Sequence, residues 1–301
     1  MIANFFSKSK PVNFVVLFLL FLIYFGITLF LKKISFLSAG KEVFLFIIIF
    51  SIYNFIILKN EVTSDNSFAF LFYVMLIGFF IKYIEINSIF YANLVCLLLF
   101  RKAYSLQSSK KVYQKLFDAG LWLGISFIIE PYTLIFIFLL YTATYLHNQL
   151  TYRTLIIPVL GCFVPVFLFY TYCLWFGNAE QFSILFSWKI IFNYHLYSSE
   201  NFLFSVFFIG IFTFLAIVLK SQKNLMLLSR FRKNWLLILF HLILSGIVFI
   251  QVPERTGVEF LYLLFPTSVI LANGIELIKK RWLADILILL FLISSFVLVF
   301  A

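Results

Sequence analysis

Charged side chains are what this sequence has least of. Only 12% of its 301 residues are Asp, Glu, Lys or Arg, while 64% are hydrophobic and 44 are Phe. A soluble domain carries about twice that share of charge and has roughly 45–50% apolar residues, so one water-facing globule is excluded. Cysteine is equally sparse: Cys96, Cys162 and Cys173 all lie within apolar runs and lack CxxC spacing, which reads as helix packing and not as a disulfide framework or ligand set. The three histidines, His147, His195 and His241, stand in separate segments without His-x-x-x-His spacing. That count excludes an iron oxygenase with four histidine ligands and gives no metal signature, so no metal and no cofactor are expected. Gly-rich phosphate loops and nucleophile elbows are also missing, and no hydrophilic stretch is long enough to fold by itself.

What is present is a series of apolar runs along the whole chain, many apolar on every face, as in Val12–Leu31, Leu155–Phe176 and Ile286–Phe300. They approach the ~20 residues that cross a hydrocarbon layer of about 30 Å, and a helix satisfies its own backbone there. Spans are expected at about 12–31, 43–58, 68–84, 86–100, 116–129, 132–147, 154–176, 202–219, 235–252, 260–278 and 283–300. The expected fold is an all-α, polytopic transmembrane helix bundle of 10–11 spans, forming one integral membrane domain over residues 1–301. The first run ends in Lys32-Lys33 without a small-residue cleavage site, which reads as an uncleaved span and not a signal peptide.

The net charge of +11 could suggest nucleic acid, but its placement points to topology. With the N-terminus in the cytoplasm, only Lys32, Lys33, Lys41, Lys82, Lys189 and Arg255 of the 23 basic residues fall outside, as the positive-inside rule requires. The expected partner is therefore membrane lipid, including anionic headgroups, and no nucleic acid. The same rule decides whether 117–147 is one span or two. Glu130-Pro131 at its middle would put a carboxylate in the bilayer centre at a cost of roughly 2.5–3.5 kcal/mol and break the helix. Two short spans, with Glu130 at the outer surface, keep the basic loops on one side.

Acids at the outer rim are the first candidates for chemistry: Glu42, Glu85, Glu130, Glu180, Glu200, Glu254 and Glu259. Glu130 and Glu254 each precede or follow closely on a span end beside Pro. His195 lies in the aromatic and polar stretch Ser187–Tyr197, expected to rest along the membrane surface with Trp188, Tyr194 and Tyr197 at headgroup level. Asp118 is expected to open a helix, where its charge favours the positive dipole end. Gly120 and Gly124 form a small-xxx-small face suited to close helix approach. Within Lys59–Ser67, Asp65, Asn66 or Ser67 is placed to cap the third span.

Two resemblances add expectations. The opening Met-Ile-Ala-Asn-Phe-Phe-Ser-Lys-Ser-Lys-Pro-Val-Asn-Phe, with Arg101-Lys-Ala-Tyr-Ser-Leu-Gln-Ser-Ser-Lys and Phe117-Asp-Ala-Gly-Leu-Trp-Leu-Gly-Ile-Ser, resembles uncharacterised multi-spanning inner-membrane proteins of flavobacteria and relatives. That likeness covers nearly the whole chain, implies a bacterial inner-membrane location and carries no activity. Ala119–Pro131 with the helix after it and the span from Pro158 to Phe176, together with Glu254-Arg-Thr-Gly-Val-Glu-Phe-Leu-Tyr-Leu-Leu-Phe-Pro266, is similar to segments of the polyprenyl-phosphate-dependent glycosyltransferases of the GT-C fold. This resemblance implies a lipid-linked sugar enzyme at the outer face. Glu42 at the end of the first outer loop would be its catalytic base and Arg255 its phosphate partner; Glu254, Glu130 and His195 would bind substrate, and a polyprenyl-phosphate sugar would be the donor. A non-catalytic membrane partner or assembly factor, bound to another membrane protein, and a transporter remain open beside it.

The charge bias predicts the outcome of reporter fusions. Alkaline phosphatase joined after Phe300 is expected to be active and after Lys111 inactive; the opposite pattern would invert the topology.

Overall fold

The structure, a computed structural model, describes residues 2–32, 36–187, 200–224, 229–252 and 256–300. Among them every regular element is helical. In chain order these are α1 (Ile2–Phe6), α2 (Pro11–Lys32), α3 (Phe36–Lys59), α4 (Phe68–Phe80), α5 (Ser88–Ser105) and α6 (Val112–Ile129). A 3-10 turn, Pro131–Phe136, leads into α7 (Ile137–Leu146), followed by α8 (Tyr152–Trp175), α9 (Ala179–Ile184), α10 (Glu200–Asn224) and α11 (Ser229–Gln251). A second 3-10 turn, Val258–Phe260, runs into α12 (Leu261–Glu276), and α13 (Arg281–Phe300) ends the described chain. Each of the eleven apolar segments expected from the sequence falls on a helix, and among the described residues eight helices are, by length and composition, long and apolar enough to cross a membrane. The protein is an all-α polytopic membrane bundle. Two short helices, α1 and α9, were not expected.

The described residues form two compact units. In the first, α4 is buried at all 13 positions and packs against α2, α3, α12 and α13. Thirteen residues rise only about 20 Å, too little to span lipid alone. A helix that is apolar all round is stable where protein surrounds it, and neighbours on every side supply that surrounding. α12, buried over nearly its whole length, packs on α4 and α10. Gly274 is what brings α10 close, since a Cβ there would lie 2.6 Å from the Ala216 methyl. Hydroxyls tie the ring of helices: Tyr24 meets Ser295 at 2.5 Å, while Tyr53 meets Ser268 at 2.7 Å and donates to the Ala69 carbonyl at 3.1 Å. The N-terminal helix is held by Asp285, whose Oδ1 accepts from the Ala3 amide at 2.6 Å.

The second unit is organised by α6 and α8, which run parallel in close contact. Gly120 lies against the Pro158 carbonyl, Gly161 against the Phe117 carbonyl, and Gly124 against the Cys162 carbonyl and the Pro165 ring; a Cβ at any of the three would overlap its neighbour. The small-residue face predicted on α6 is thus met by a matching one on α8, the arrangement that maximises van der Waals contact where lipid removes the hydrophobic drive. The chain turns back at Glu130, whose extended backbone (φ −138°, ψ 105°) ends α6, and Pro131 starts the 3-10 turn. Two antiparallel segments result: Gln149, beyond α7, donates to the carbonyl of Leu106, which precedes α6. Cys96, Cys162 and Cys173 are free and buried, in keeping with packing.

Two local expectations need correction. Asp118 does not open its helix, because α6 begins at Val112; it lies two turns in and pairs with Lys102 of α5 at 2.6 Å. Glu42 is inside α3 and not in a loop, because the helix extends back to Phe36. The cap of α4 is Asn66, whose Oδ1 accepts from the Phe68 amide at 3.0 Å; Ser67 makes no side-chain cap.

The glycine contacts set a stability contrast. Gly161→Ala should cost about 1–3 kcal/mol, the usual penalty of overpacking, seen as earlier loss of the monodisperse peak when the detergent-solubilised protein is heated. Gly210→Ala, whose Cβ meets nothing within 4 Å, should be neutral or gain about 0.5–1 kcal/mol from reduced chain entropy. Equal behaviour of the two would refute the close α6–α8 approach.

Candidate functional site

Of the residues singled out in the sequence, Glu254, Arg255 and His195 lie outside the described residues. Glu42 sits half-buried in the second turn of α3. Glu130 caps α6, its carboxylate accepting from the Ser88 hydroxyl at 2.6 Å and its amide donating to Ser126 at 2.8 Å. Thr133 donates to the Glu130 carbonyl at 2.8 Å and lies 3.1 Å from the Ser126 hydroxyl. Glu130 therefore fastens the start of α5 to the corner between α6 and the 3-10 turn.

The acid that stands apart is Glu259, at 0% exposure. It lies in the 3-10 turn before α12, and its Oε2 accepts from the Gly257 amide at 2.8 Å. Gly257 takes the left-handed conformation (φ 95°) that closes this turn, one that an L side chain resists. The position favours an anion, because the unpaired amides that open a helix carry partial positive charge. Around the same corner, Phe260 stacks on Phe80 from the end of α4 at 4.1 Å and meets Phe202 of α10 edge-on at 5.2 Å, with Tyr83 5.4 Å from Phe202. Three helix ends and an aromatic cluster thus enclose the turn that holds a carboxylate away from water.

Known proteins place no constraint on this geometry. No protein-family model, no curated protein and no solved structure matches the chain.

Sequence reasoning named Glu259 only as one rim acid among seven, and it missed two polar clusters altogether. In the first unit, the Glu276 carboxylate at the end of α12 accepts from Ser64 at 3.0 Å and from Asn66, and lies 3.9 Å from the Lys220 ammonium of α10. In the second, the buried His241 of α11 bonds through Nδ1 with the Tyr104 hydroxyl at 2.9 Å, among the rings of Phe100 and Phe136. Both read as clasps between helices. Among the described residues no group of three His, Cys, Asp or Glu gathers where a metal ion could sit. An apolar crevice of about 140 Å³ lined by Phe72, Phe212, Leu215, Leu271 and Phe291 offers room for a hydrocarbon chain and no reacting group.

The Glu276 clasp is testable by a double-mutant cycle. Glu276→Ala should destabilise by about 1.5–3 kcal/mol, the range for hydrogen bonds to a charged group. Asn66→Ala on that background should cost measurably less than Asn66→Ala alone; strict additivity in thermal unfolding would dissolve the clasp.

Proposed function

We propose that this protein is a lipid-linked sugar enzyme of the glycosyltransferase kind, working where the chain enters α12. The observation that carries the reading is Glu259, a carboxylate at 0% exposure four residues beyond Arg255. Ionisable groups enclosed in a membrane protein are expensive and by default mark function. Phe80, Phe202 and Phe260 wall the corner with rings, so the carboxylate stands in an apolar enclosure. The similarity of Glu254–Pro266 to the corresponding segment of polyprenyl-phosphate-dependent enzymes supports the same assignment.

In this reading Arg255 holds the lipid phosphate, since a guanidinium offers two parallel N–H donors to phosphate oxygens. An acceptor hydroxyl attacks the anomeric carbon of the sugar. The bond from that carbon to the phosphate oxygen breaks, its electron pair stays with the departing polyprenyl phosphate, and the hydroxyl proton passes to a carboxylate. Glu42 is the base that the resemblance suggests; in this reading Glu259 takes that role, because desolvation strengthens every electrostatic interaction made with the reacting atoms.

Profiling lipid-linked saccharides in a deletion strain tests this reading. One species should accumulate and disappear on re-expression of the wild type. Glu259→Gln, expressed to the same membrane level, should fail to clear it, with turnover lowered by about two orders of magnitude, as when a general base is lost. An unchanged profile in the deletion strain would sink the enzyme and leave the non-catalytic partner.

A further inference from the structure

A second cavity, in the unit without Glu259, has the chemistry of a lipid site. It occupies about 390 Å³ between α5 and α6 and is lined by Leu98, Arg101, Lys102, Asp118, Trp122 and Ile125, with Leu121 beside them. Its polarity is graded along one direction. α5 and α6 are antiparallel: Lys102 near the end of α5 pairs with Asp118 near the start of α6, and Ser88 at the start of α5 pairs with Glu130 at the end of α6. Moving away from the charged rim, Leu98 lies one turn deeper on α5. On α6, Leu121 and Trp122 lie one turn deeper than Asp118 and Ile125 two turns, roughly 10 Å at 1.5 Å per residue. The cavity thus passes from two cations and a carboxylate, past an indole, to aliphatic walls.

We propose that this cavity binds one acidic glycerophospholipid of the surrounding leaflet, with the phosphodiester at Arg101 and Lys102 and the upper part of one acyl chain against Leu98, Leu121 and Ile125. The Lys102–Asp118 pair at 2.6 Å fixes the ammonium at the rim and uses one of its three donors. Arg101 is exposed at the rim, and the side chains lining the cavity sum to one net positive charge, two cations against the Asp118 carboxylate. A phosphodiester carries one negative charge and matches it. A choline or ethanolamine headgroup would bring a third cation to Arg101 and Lys102, whereas glycerol brings none. Trp122 lines the cavity between the charged rim and the aliphatic wall, the depth that amphipathic indoles favour at a membrane interface. Basic pockets between spanning helices are established headgroup sites in membrane proteins generally. The apolar wall is what distinguishes a lipid from a free anion, because only the lipid brings carbon to cover it.

The test uses the full-length protein in dodecyl maltoside. Thermal melting is followed while phosphatidylglycerol, phosphatidylcholine or inorganic phosphate is added, and native mass spectrometry counts retained lipid. Phosphatidylglycerol should raise the melting temperature saturably and remain as a single adduct, and phosphatidylcholine should do so at least tenfold more weakly. Arg101→Gln should weaken the phosphatidylglycerol effect at least fivefold, measured as the rise above its own lipid-free melting temperature. Lys10→Gln, the same charge change at another exposed position, should leave it intact. Lys102→Met with Asp118→Leu removes both partners of the ion pair together, so no unpaired charge unfolds the helix pair, and it should also weaken retention. Equal responses to the two lipids, an effect of Lys10→Gln as large as that of Arg101→Gln, or a full response to phosphate alone would each overturn the proposal; the last would assign a free-anion site.

Discussion

Lipid offers a hydroxyl, amide or carboxylate nothing to bond with, and the described fold depends on meeting that constraint inside the protein. A polar group left unpaired in such surroundings costs several kcal/mol; some interior groups, such as Thr28, Thr213 and Asn273, bond to a carbonyl of their own helix, and those that reach across select the helix that must lie beside them. Tyr53 joins α3 to α12 through Ser268 and to α4 through the Ala69 carbonyl. Tyr24 joins α2 to α13, and His241 joins α11 to α5. Apolar packing among 44 Phe residues is nearly indifferent to which phenyl ring meets which. These few pairs make one register better than its alternatives.

The α6–α8 contact solves a second problem under the same constraint. Leucine-rich helices gain little by leaving acyl chains for each other, so association needs backbone proximity. Gly120 and Gly124 on one helix and Gly161 on the other provide it, and Pro158 and Pro165 lie in the same seam. A proline inside a helix sacrifices a backbone hydrogen bond, and at both positions it sits against the partner glycine face. Fixing α6 against α8 also fixes the face that α6 turns toward α5, which is where Lys102 and Asp118 meet.

The sequence showed the parts of the fold that are local or one-dimensional. Runs of apolar residues gave the helices, Glu130-Pro131 gave the reversal between α6 and α7, and Gly120 with Gly124 gave a packing face. What it hid are pairings across the chain. Glu276 is followed by Lys279, Lys280 and Arg281 and reads as an ordinary charged helix end; its partner Asn66 lies 210 positions earlier. Tyr104 and His241 are 137 positions apart. Asp118 was misread because the polar stretch Val112–Lys115 conceals the true start of α6, so a residue two turns inside the helix looked like its first. Glu259 was visible as an acid, yet nothing local distinguishes it from Glu180 in α9, which faces solvent. Burial is a property of the neighbours, and these come from α4 and α10.

That burial bears on whether the protein carries out chemistry at all. Glu130, Glu276 and Asp118 each hold two helices together, and their replacement by apolar residues would remove a joint. At position 259 the surrounding sequence is Gly-Val-Glu-Phe-Leu-Tyr-Leu-Leu-Phe-Pro; a leucine there would keep the aromatic contacts of Phe260 with Phe80 and Phe202 and would lose the bond that Glu259 Oε2 accepts from the Gly257 amide. Enclosing a carboxyl group costs free energy that its bonds must offset, while enclosing a leucine gives a gain of about 1.5–3 kcal/mol. A sequence shaped by packing alone would have taken the leucine. The retained carboxylate closes the turn before α12 through the Gly257 amide, at the opening of a helix whose dipole favours negative charge, and it is this group that the proposed reaction would use.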